Sequence, residues 1–408
     1  MNDGLPQYIG FAGLWRLELS GVEIARLGPM LEARLARDPG NAEAMMDIAT
    51  LSILTLASGN RALALAIQDK ALETKQVFRI PAARQPPALR VLAIACPGDM
   101  TALTHLDCLL EDSDVELQLL YARPGLPLPS ELPEHDLVFV VAGESGPNRD
   151  LLGQIESFTQ ASAKPVLNPP GRIRRLSRDS VSEMLRPIEG VAMPPTVLAG
   201  RGALSEVGQS KLPVFNLLGD GDFPIIARPE DSQGGKDLAK LENAVALGRY
   251  LDSTEGRGFF ISPFIDYSGT DGQFRKYRVV MIDGQPFACH MGVSSYWMIH
   301  YVNADMDQSV QKRAEEEHFM AGFDSGFALR HKDALAGIDR ALGLDYYAID
   351  CAEMRDGRLL VFEADTAMLV HAMDPVDLYP YKLPAMCRIF DAFRRMLQRR
   401  HDGSIKKG

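Results

Sequence analysis

Three carboxylates near the C-terminal end of the sequence could together bind a divalent cation. Asp350 ends an apolar run, DYYAID, and Glu363 and Asp365 alternate along the next run, RLLVFEAD. The dipeptide Asp356-Gly357 between the two runs favours a tight hairpin. Because strand side chains alternate between faces, Glu363 and Asp365 share one face, and the hairpin brings Asp350 beside them.

The charge of this acidic cluster indicates what it could bind. Adjacent carboxylates repel one another unless a cation neutralises them, and Mg²⁺ takes one or two carboxylates together with phosphate oxygens and water. A metal–nucleotide site therefore accounts for the cluster. The alternative is three solvated side chains on an exposed hairpin, which the apolar residues around them disfavour.

The spacing of the acids resembles a known family. An acid that closes one strand, followed about thirteen residues later by Glu-x-Asn on the next, is the metal signature of the ATP-grasp enzymes, and FEADTAM resembles their RimK-like branch. Asp365 stands where that family usually has asparagine. The resemblance extends over roughly residues 88–395. It implies ATP and Mg²⁺ as cofactors, with Asp350, Glu363 and Asp365 as the metal ligands.

The segment FPIIARPEDSQGGKDLAKL resembles the strand and glycine-rich loop that cover the triphosphate in this family. Glycines let backbone N–H groups approach phosphate oxygens closely. An arginine replaces the lysine that usually contacts the α- and β-phosphates, and it is not a neutral replacement. A flexible surface turn is the alternative for the loop. The cofactor-binding residues expected here are Arg228, Ser232, Gln233, Gly234 and Gly235.

The segment FFISPFID resembles the family hinge that binds adenine. Backbone groups there would hydrogen-bond the base while apolar side chains enclose the ring. The resemblance assigns Pro263, Phe264 and Ile265 to this slot, and Asp266 to a ribose hydroxyl. The alternative is an ordinary buried strand.

Cationic residues elsewhere complete the implied site. In KYRVVMIDG, Arg278 matches the catalytic arginine that the family places near the transferred phosphate, while Lys276 replaces its usual acidic neighbour. The added cation would suit an anionic substrate, although a surface strand charge is the alternative. A second family lysine is expected near Ser180, where Arg175 or Arg178 could substitute.

Four further residues are candidates for substrate contact. Asp99 follows the strand VLAIAC, and ligands bind beyond the carboxyl ends of parallel strands. His300 and Asn303 lie in an aromatic and amide-rich stretch, ACHMGVSSYWMIHYVNADM, and His371 follows the metal strand. Core packing is the alternative for the aromatic stretch, and a turn cap is the alternative for His371.

The implied reaction is Mg-dependent joining of a carboxylate to an amine through an acylphosphate, with release of ADP and phosphate. Phosphoryl transfer depends on positioning and charge neutralisation, so it requires no protein nucleophile. The substrates would be small-molecule or peptide acids and amines.

One alternative is a degenerate ATP-grasp domain that binds nucleotide or peptide without turnover, as an adaptor with a helical recruitment region. Another is a carboxylate-phosphorylating enzyme with a non-amine acceptor.

The elements that must position these residues suggest an α/β and α+β multidomain protein, and the resemblance implies that it has the ATP-grasp fold. Residues 20–76 predict three helices separated by turns at residues 38–41 and 59–60, which resemble tetratricopeptide units or form a plain helical cap. Residues 78–89, rich in proline, predict a linker. Four apolar runs then predict a parallel sheet.

The predicted segments are 1–86 (helices and linker), 87–195 (pre-ATP-grasp α/β domain), 196–270 (small subdomain with the nucleotide lid) and 271–408 (C-terminal subdomain with the metal site).

The composition narrows the range of partners. With 46% apolar and 24% charged residues and a net charge of −11, the chain is globular and acidic, so nucleic acid is not expected as a partner. Its most apolar stretches are shorter than the roughly 20 residues that span a bilayer, and no membrane association is expected. Five cysteines without CxxC spacing and no apparent signal segment favour the cytoplasm. The N-terminal helices could recruit a protein or peptide partner, or support a homodimer.

Overall fold

The computed structural model describes residues 5–19, 24–54, 61–230, 232 and 234–405. These residues form two compact units. The first unit comprises the described residues up to Arg174, with Leu344–Tyr346 and the residues from Thr366 onward, and the second comprises Arg175–Gly343 and Tyr347–Asp365. Together they are a mixed α/β and α+β multidomain structure, as the sequence predicts. Within the described ranges, no helix is long and apolar enough to cross a membrane.

The first unit begins with helices. The predicted turn at residues 38–41 is present, and the Asn41 side chain accepts a hydrogen bond from the Ala44 amide at 2.9 Å, which caps the third helix. The predicted turn at residues 59–60 lies outside the described residues. The three predicted helices are confirmed, and the sequence patterns missed a helix before them. The helices are α1 (Gly10–Leu19), α2 (Ile24–Arg37), α3 (Ala42–Leu54) and α4 (Arg61–Thr74).

A buried carboxylate fastens the first helix to the third. The Asp47 side chain is fully buried and accepts hydrogen bonds of 3.0 Å from the backbone amides of Ile9 and Gly10. These amides lie at the start of α1, where helix geometry leaves N–H groups without intrahelical partners. Asp47 therefore supplies the cap of α1 from another helix.

The sheet of the first unit is mostly parallel, as the four apolar runs predict. Its strand order is β1-β3-β2-β4-β5, with the first strand antiparallel and the other neighbouring pairs parallel. Nearly every residue of the central strands is buried, which explains their continuous apolar sequence. The elements are β1 (Val77–Ile80), β2 (Leu89–Ala95), α5 (Leu106–Leu109), β3 (Val115–Tyr121), β4 (Leu137–Val140), α6 (Arg149–Gln160), β5 (Val166–Leu167) and α7 (Pro170–Ile173).

The second unit contains two sheets. The smaller one has the strand order β7-β10-β8-β9 and is antiparallel throughout. Apolar residues of three helices form one core with Phe259 and Ile261 of the sheet. The elements are α8 (Arg178–Leu185), β6 (Val191–Ala192), β7 (Val197–Gly200), α9 (Arg201–Gly208), α10 (Phe215–Leu218), β8 (Ile225–Pro229), β9 (Ala239–Leu241), α11 (Ala244–Ser253) and β10 (Gly258–Pro263).

The larger sheet of the second unit has the order β12-β11-β13-β14-β6. Strands β11 and β13 are neighbours in this sheet although strand β12 and three helices lie between them in the sequence. Residues far apart in sequence thereby become adjacent. This sheet carries the predicted acidic cluster. The elements are β11 (Phe274–Ile282), β12 (Gln285–Ser294), a 3₁₀ turn (Tyr301–Asn303), α12 (Val310–Ala321), α13 (Phe327–Arg330), α14 (Lys332–Leu342), β13 (Tyr346–Glu353) and β14 (Leu359–Asp365).

The last helix, α15 (Lys382–Ile405), belongs to the first unit. Its Phe393 ring packs against Phe139 of β4, with the ring centroids 5.6 Å apart, and Arg394 is ion-paired with Asp114. The predicted segment 271–408 is therefore divided between the two units. Two smaller differences concern the other predicted segments: the predicted linker contains strand β1, and β6 of the predicted α/β domain pairs with β14 in the larger sheet of the second unit.

Candidate functional site

The hairpin of β13 and β14 places two of the three predicted carboxylates opposite each other. Asp350 and Glu363 are cross-strand partners, and Asp365 lies two residues further along β14, opposite Ala348. The turn between the strands contains Gly357 at φ 86°, a conformation that favours glycine. The hairpin therefore brings Asp350 beside Glu363, as the sequence predicts, and a register shift between Asp350 and Cys351 accompanies this pairing.

Two cations from the neighbouring strand β11 hold Asp350. The Arg278 guanidinium donates from Nε to Oδ1 at 2.8 Å and from Nη2 to Oδ2 at 3.1 Å, and Lys276 Nζ donates to Oδ2 at 2.8 Å. Lys276 and Arg278 are two residues apart and so lie on the same face of the strand. The Asp350 residue is only 2% exposed. It is thus a buried carboxylate between two positive charges.

A third cation holds Glu363. Arg178, the first residue of α8, donates from Nη2 to Oε2 of Glu363 at 2.5 Å. The neighbouring Ser180 stands where the family resemblance implies a lysine. It forms a hydrogen bond with the Ser177 hydroxyl at the start of the same helix. Of the two arginines suggested as substitutes for that lysine, Arg178 is the one that contacts the acidic hairpin.

These contacts set the ionisation of the hairpin. Burial alone would raise the pKa of Asp350, but the charges of Arg278 and Lys276 hold it well below its usual range. Burial likewise acts to raise the pKa of Glu363, and Arg178 outweighs it so that the pKa is lowered. Both side chains are therefore carboxylates at neutral pH.

Arg228 is a buried cation of a different kind. It lies on β8 and is 8% exposed, and its Nη2 donates to the backbone oxygen of Ser232 in the following loop. Its Nε has no hydrogen-bond partner, and among the described residues no carboxylate forms an ion pair with it. Burial, with repulsion from Arg178, lowers the pKa of Arg228 to about 10. Arg228 nevertheless remains charged at neutral pH.

The glycine-rich loop follows Arg228 directly. Gly234 and Gly235 have φ values of 60° and 72°, and the Ser232 hydroxyl donates to the backbone oxygen of Lys236. A Cβ on Gly235 would lie 2.2 Å from Nε2 of His300, whereas one on Gly234 would meet nothing within 4 Å. The loop therefore closely approaches His300, a predicted substrate residue. Gln233 lies outside the described residues.

The residues of the predicted adenine slot contact other residues of the second unit. The Phe264 amide donates to the Pro224 oxygen at 2.9 Å, and the ring of Phe264 lies 4.1 Å from the Lys240 ammonium. Ile265 packs against a cluster of buried apolar residues, and the Asp266 carboxylate accepts from the Ser268 amide at 2.9 Å. Pro263 ends β10. The structure thus places these residues in one segment, and their contact with a base stays a prediction.

The other predicted substrate residues have partners within their own units. In the second unit, Asn303 Oδ1 accepts a hydrogen bond from the His300 amide at 2.9 Å. Burial lowers the pKa of His300, and the positive charge of Lys276 lowers it further. In the first unit, Asp99 accepts from Arg61, and His371 Nδ1 accepts from the Met373 amide at 3.1 Å. His371 therefore caps a turn, which was the alternative to substrate contact.

Protein cations already neutralise the acidic cluster. The sequence suggests that the clustered carboxylates need a metal to neutralise them, but Lys276, Arg278 and Arg178 already do so. Over the described ranges, no group of three or more His, Cys, Asp or Glu side chains is arranged to hold a metal ion. The pair Asp350 and Glu363 still offers the hard oxygen donors that Mg²⁺ accepts alongside phosphate. The donor set thus fits a metal that arrives with a nucleotide rather than one held by protein alone.

Comparisons with known proteins identify structural neighbours only. No protein-family model matches the chain, and no curated protein matches it. A RimK domain ATP-grasp protein from Sphaerobacter thermophilus DSM 20745 is 16% identical, with a TM-score of 0.45 over 75% of this chain and 99% of its own. The D-alanine–D-alanine ligase from Coxiella burnetii is 12% identical, with a TM-score of 0.47 over 78% of this chain and 97% of its own. The corresponding ligase from Bacillus anthracis, complexed with ATP, is 14% identical, with a TM-score of 0.44 over 76% of this chain and 99% of its own. Similarity of this degree carries no argument about activity, so the function is argued from the residues of this chain.

Proposed function

We propose that this chain is an ATP-dependent carboxylate–amine ligase of the ATP-grasp kind. The observation that carries the proposal is the buried Arg228 guanidinium, whose Nε has no hydrogen-bond partner among the described residues and which lies beside a loop with two glycines at positive φ. A buried charge without a directly paired counter-ion is costly in the folded state. An anionic ligand would supply the missing partner, and a phosphate group matches the fork of a guanidinium.

The glycine loop supports a phosphate as that anion. Successive backbone N–H groups in a glycine-rich turn form a concave surface that binds phosphate oxygens. The Ser232 hydroxyl and the backbone near Gly234 and Gly235 are placed along this turn, next to Arg228. We therefore assign the upstream phosphates of ATP to Arg228 and the loop.

The acidic hairpin supports transfer of the terminal phosphate. Asp350 and Glu363 supply oxygen donors, and Mg²⁺ bound there with ATP would supply charge neutralisation for the phosphoryl group. Arg278 is held by Asp350 through Nε and Nη2, which fixes its position for the same task. These side chains share the second unit with Arg228 and the glycine loop.

The proposed reaction has two steps. A carboxylate oxygen of the acid substrate forms a bond to the γ-phosphorus as the bond to ADP breaks, which gives an acylphosphate and ADP. The amine nitrogen then forms a bond to the acyl carbon as phosphate leaves, and the amine loses a proton. We propose small-molecule or peptide acids and amines as substrates.

The test is ADP release by the purified chain with Mg-ATP and a panel of acids, each with and without a panel of amines. An acid labelled with ¹⁸O in its carboxylate should transfer one ¹⁸O atom to the released phosphate, because the acylphosphate oxygen leaves with phosphorus. ADP release without transfer of the label would contradict an acylphosphate. It would indicate simple hydrolysis of ATP.

A second function is favoured by the cations around Asp350. Because Lys276 and Arg278 occupy this carboxylate, the chain could bind nucleotide without turnover, as a degenerate ATP-grasp adaptor. Calorimetry with Mg-ATP, followed by the ADP-release assay, separates the two functions. Binding without ADP release over the whole panel supports the adaptor.

The N-terminal helices have contacts that bear on a recruitment role. Gln68 of α4 exchanges hydrogen bonds with the backbone of Gly98, Arg61 contacts Asp99, and the Ala12 amide of α1 donates to Asp107. They thus hold the loop that follows β2, as a helical cap would. Recruitment of a peptide or a second copy of the chain would use their remaining surface.

A further inference from the structure

Asp350 carries more positive charge than its neutralisation requires. Arg278 alone makes a two-point contact with both of its oxygens, and Lys276 adds a second full charge at 2.8 Å. The Lys276 side chain is only 13% exposed, so its ammonium has given up most of its hydration for this contact. One of the two cations is surplus to the balance of charge on Asp350.

The surplus cation competes with a metal ion for Oδ2 of Asp350. Each carboxylate oxygen offers two lone pairs. Oδ2 of Asp350 accepts from both Lys276 Nζ and Arg278 Nη2, so both of its lone pairs are used. Mg²⁺ coordinates oxygen at about 2.0–2.1 Å and would repel an ammonium bound to the same atom. A metal ion can coordinate Oδ2 only when a cation leaves it.

We propose that Lys276 is a resident counter-ion of Asp350 that excludes free divalent metal and yields to metal arriving with the nucleotide. Lys276 is the cation that leaves, because it makes one contact with the carboxylate whereas Arg278 makes two. The incoming phosphates supply the negative charge that lets both cations remain nearby. This inference rests on the proposed nucleotide site, and it makes metal binding depend on the nucleotide.

The test measures Mn²⁺ uptake by electron paramagnetic resonance of the free ion, with and without a non-hydrolysable ATP analogue. The wild-type chain should take up little Mn²⁺ alone and bind it when the analogue is present. Lys276→Met should bind Mn²⁺ without nucleotide at least about tenfold more tightly than the wild type, because a full charge next to the carboxylate is removed. Lys276→Gln repeats the measurement with a polar replacement of similar length.

Two variants are matched controls. Lys276→Arg keeps the charge and should exclude free Mn²⁺ as the wild type does. Lys332→Met removes an exposed lysine at the start of α14 in the same unit and should also behave as the wild type does. A general effect of net charge would instead make Lys332→Met resemble Lys276→Met.

The inference is overturned if the wild-type chain binds Mn²⁺ without nucleotide as tightly as Lys276→Met does. It is also overturned if neither Lys276→Met nor Lys276→Gln binds Mn²⁺ alone while the wild type binds it with the analogue. Failure of the proposed function looks different, because calorimetry would then detect no binding of the analogue to the wild type under any condition.

Discussion

Glu363 lies directly opposite Asp350 on the neighbouring strand, and each carboxylate is ion-paired with cations from a different element. Asp350 is held from β11, whereas Glu363 is held by Arg178 from α8. The charge of Arg228 also acts to lower the pKa of Glu363. The positive side chains that act on the hairpin are therefore Arg178, Arg228, Lys276 and Arg278. Phosphate oxygens would therefore meet positive charge together with donors suited to Mg²⁺.

Replacement of Arg228 should separate binding from stability. Arg228→Met is expected to weaken ATP binding by about 10- to 100-fold, because hydrogen bonds to a charged group contribute about 1.5–3 kcal/mol. The thermal midpoint should stay the same or rise, since the removed charge is buried and forms no ion pair with a carboxylate of the described residues. Calorimetry with Mg-ATP and thermal unfolding provide the two readouts. Arg257→Met, at an exposed position of the same unit, is the control and should change neither. An Arg228→Met protein with unchanged ATP affinity would exclude Arg228 from the phosphate site.

The two loop glycines should respond differently to alanine. Both have positive φ, so each substitution should cost about 1 kcal/mol in backbone strain, but only Gly235 also meets His300. Gly235→Ala is therefore expected to lower nucleotide affinity more than Gly234→Ala does, because the His300 ring must move. His300→Ala in the Gly235→Ala background should restore part of the loss. Calorimetry with Mg-ATP measures all three proteins, and equal losses for the two glycine variants would show that contact with His300 is irrelevant.

Asp47 should make the first unit less stable as the pH rises. Burial raises the pKa of Asp47 from 3.8 to about 7, so the folded chain keeps a proton that the unfolded chain releases at lower pH. Between about pH 4 and pH 7 the folded state binds more protons, and the free energy of unfolding from this group falls by up to about 4 kcal/mol. Asp47→Asn should remove this slope, as measured by urea unfolding at pH 5 and pH 7. Asp69→Asn, at an exposed site on α4, should retain it. A slope that is identical in the wild type and Asp47→Asn would contradict the raised pKa.

The sequence predicts the hairpin because its signals are local. Period-two alternation and the Asp356-Gly357 turn predict that Asp350 lies beside Glu363. The two residues are opposite each other in the structure, where the register shifts between Asp350 and Cys351. Near-continuous apolar runs likewise predict the strands of the first sheet. Helix α1 was missed because its N-terminus is capped by the distant Asp47 rather than by a nearby residue.

The charge balance of the site depends on strand order, which local patterns do not reveal. Lys276 and Arg278 reach Asp350 because β11 and β13 are neighbours, although 72 to 74 residues separate the partners. The sequence singled out both cations without indicating that they neutralise the acids. The contact between Arg178 and Glu363 likewise depends on where α8 lies in the fold. The sequence therefore indicates Arg178 only as one of two possible substitutes for a lysine.

The central claim is that the carboxylates of the hairpin serve phosphoryl transfer from ATP. The most direct measurement is the rate of ADP release by Glu363→Gln, with the acid and amine that support turnover by the wild type. Glu317→Gln, at an exposed position on α12, is the matched control. The account predicts that Glu363→Gln lowers the rate at least about 100-fold, because an interaction with developing charge is lost, while Glu317→Gln leaves it unchanged. An undiminished rate of ADP release by Glu363→Gln would contradict the account.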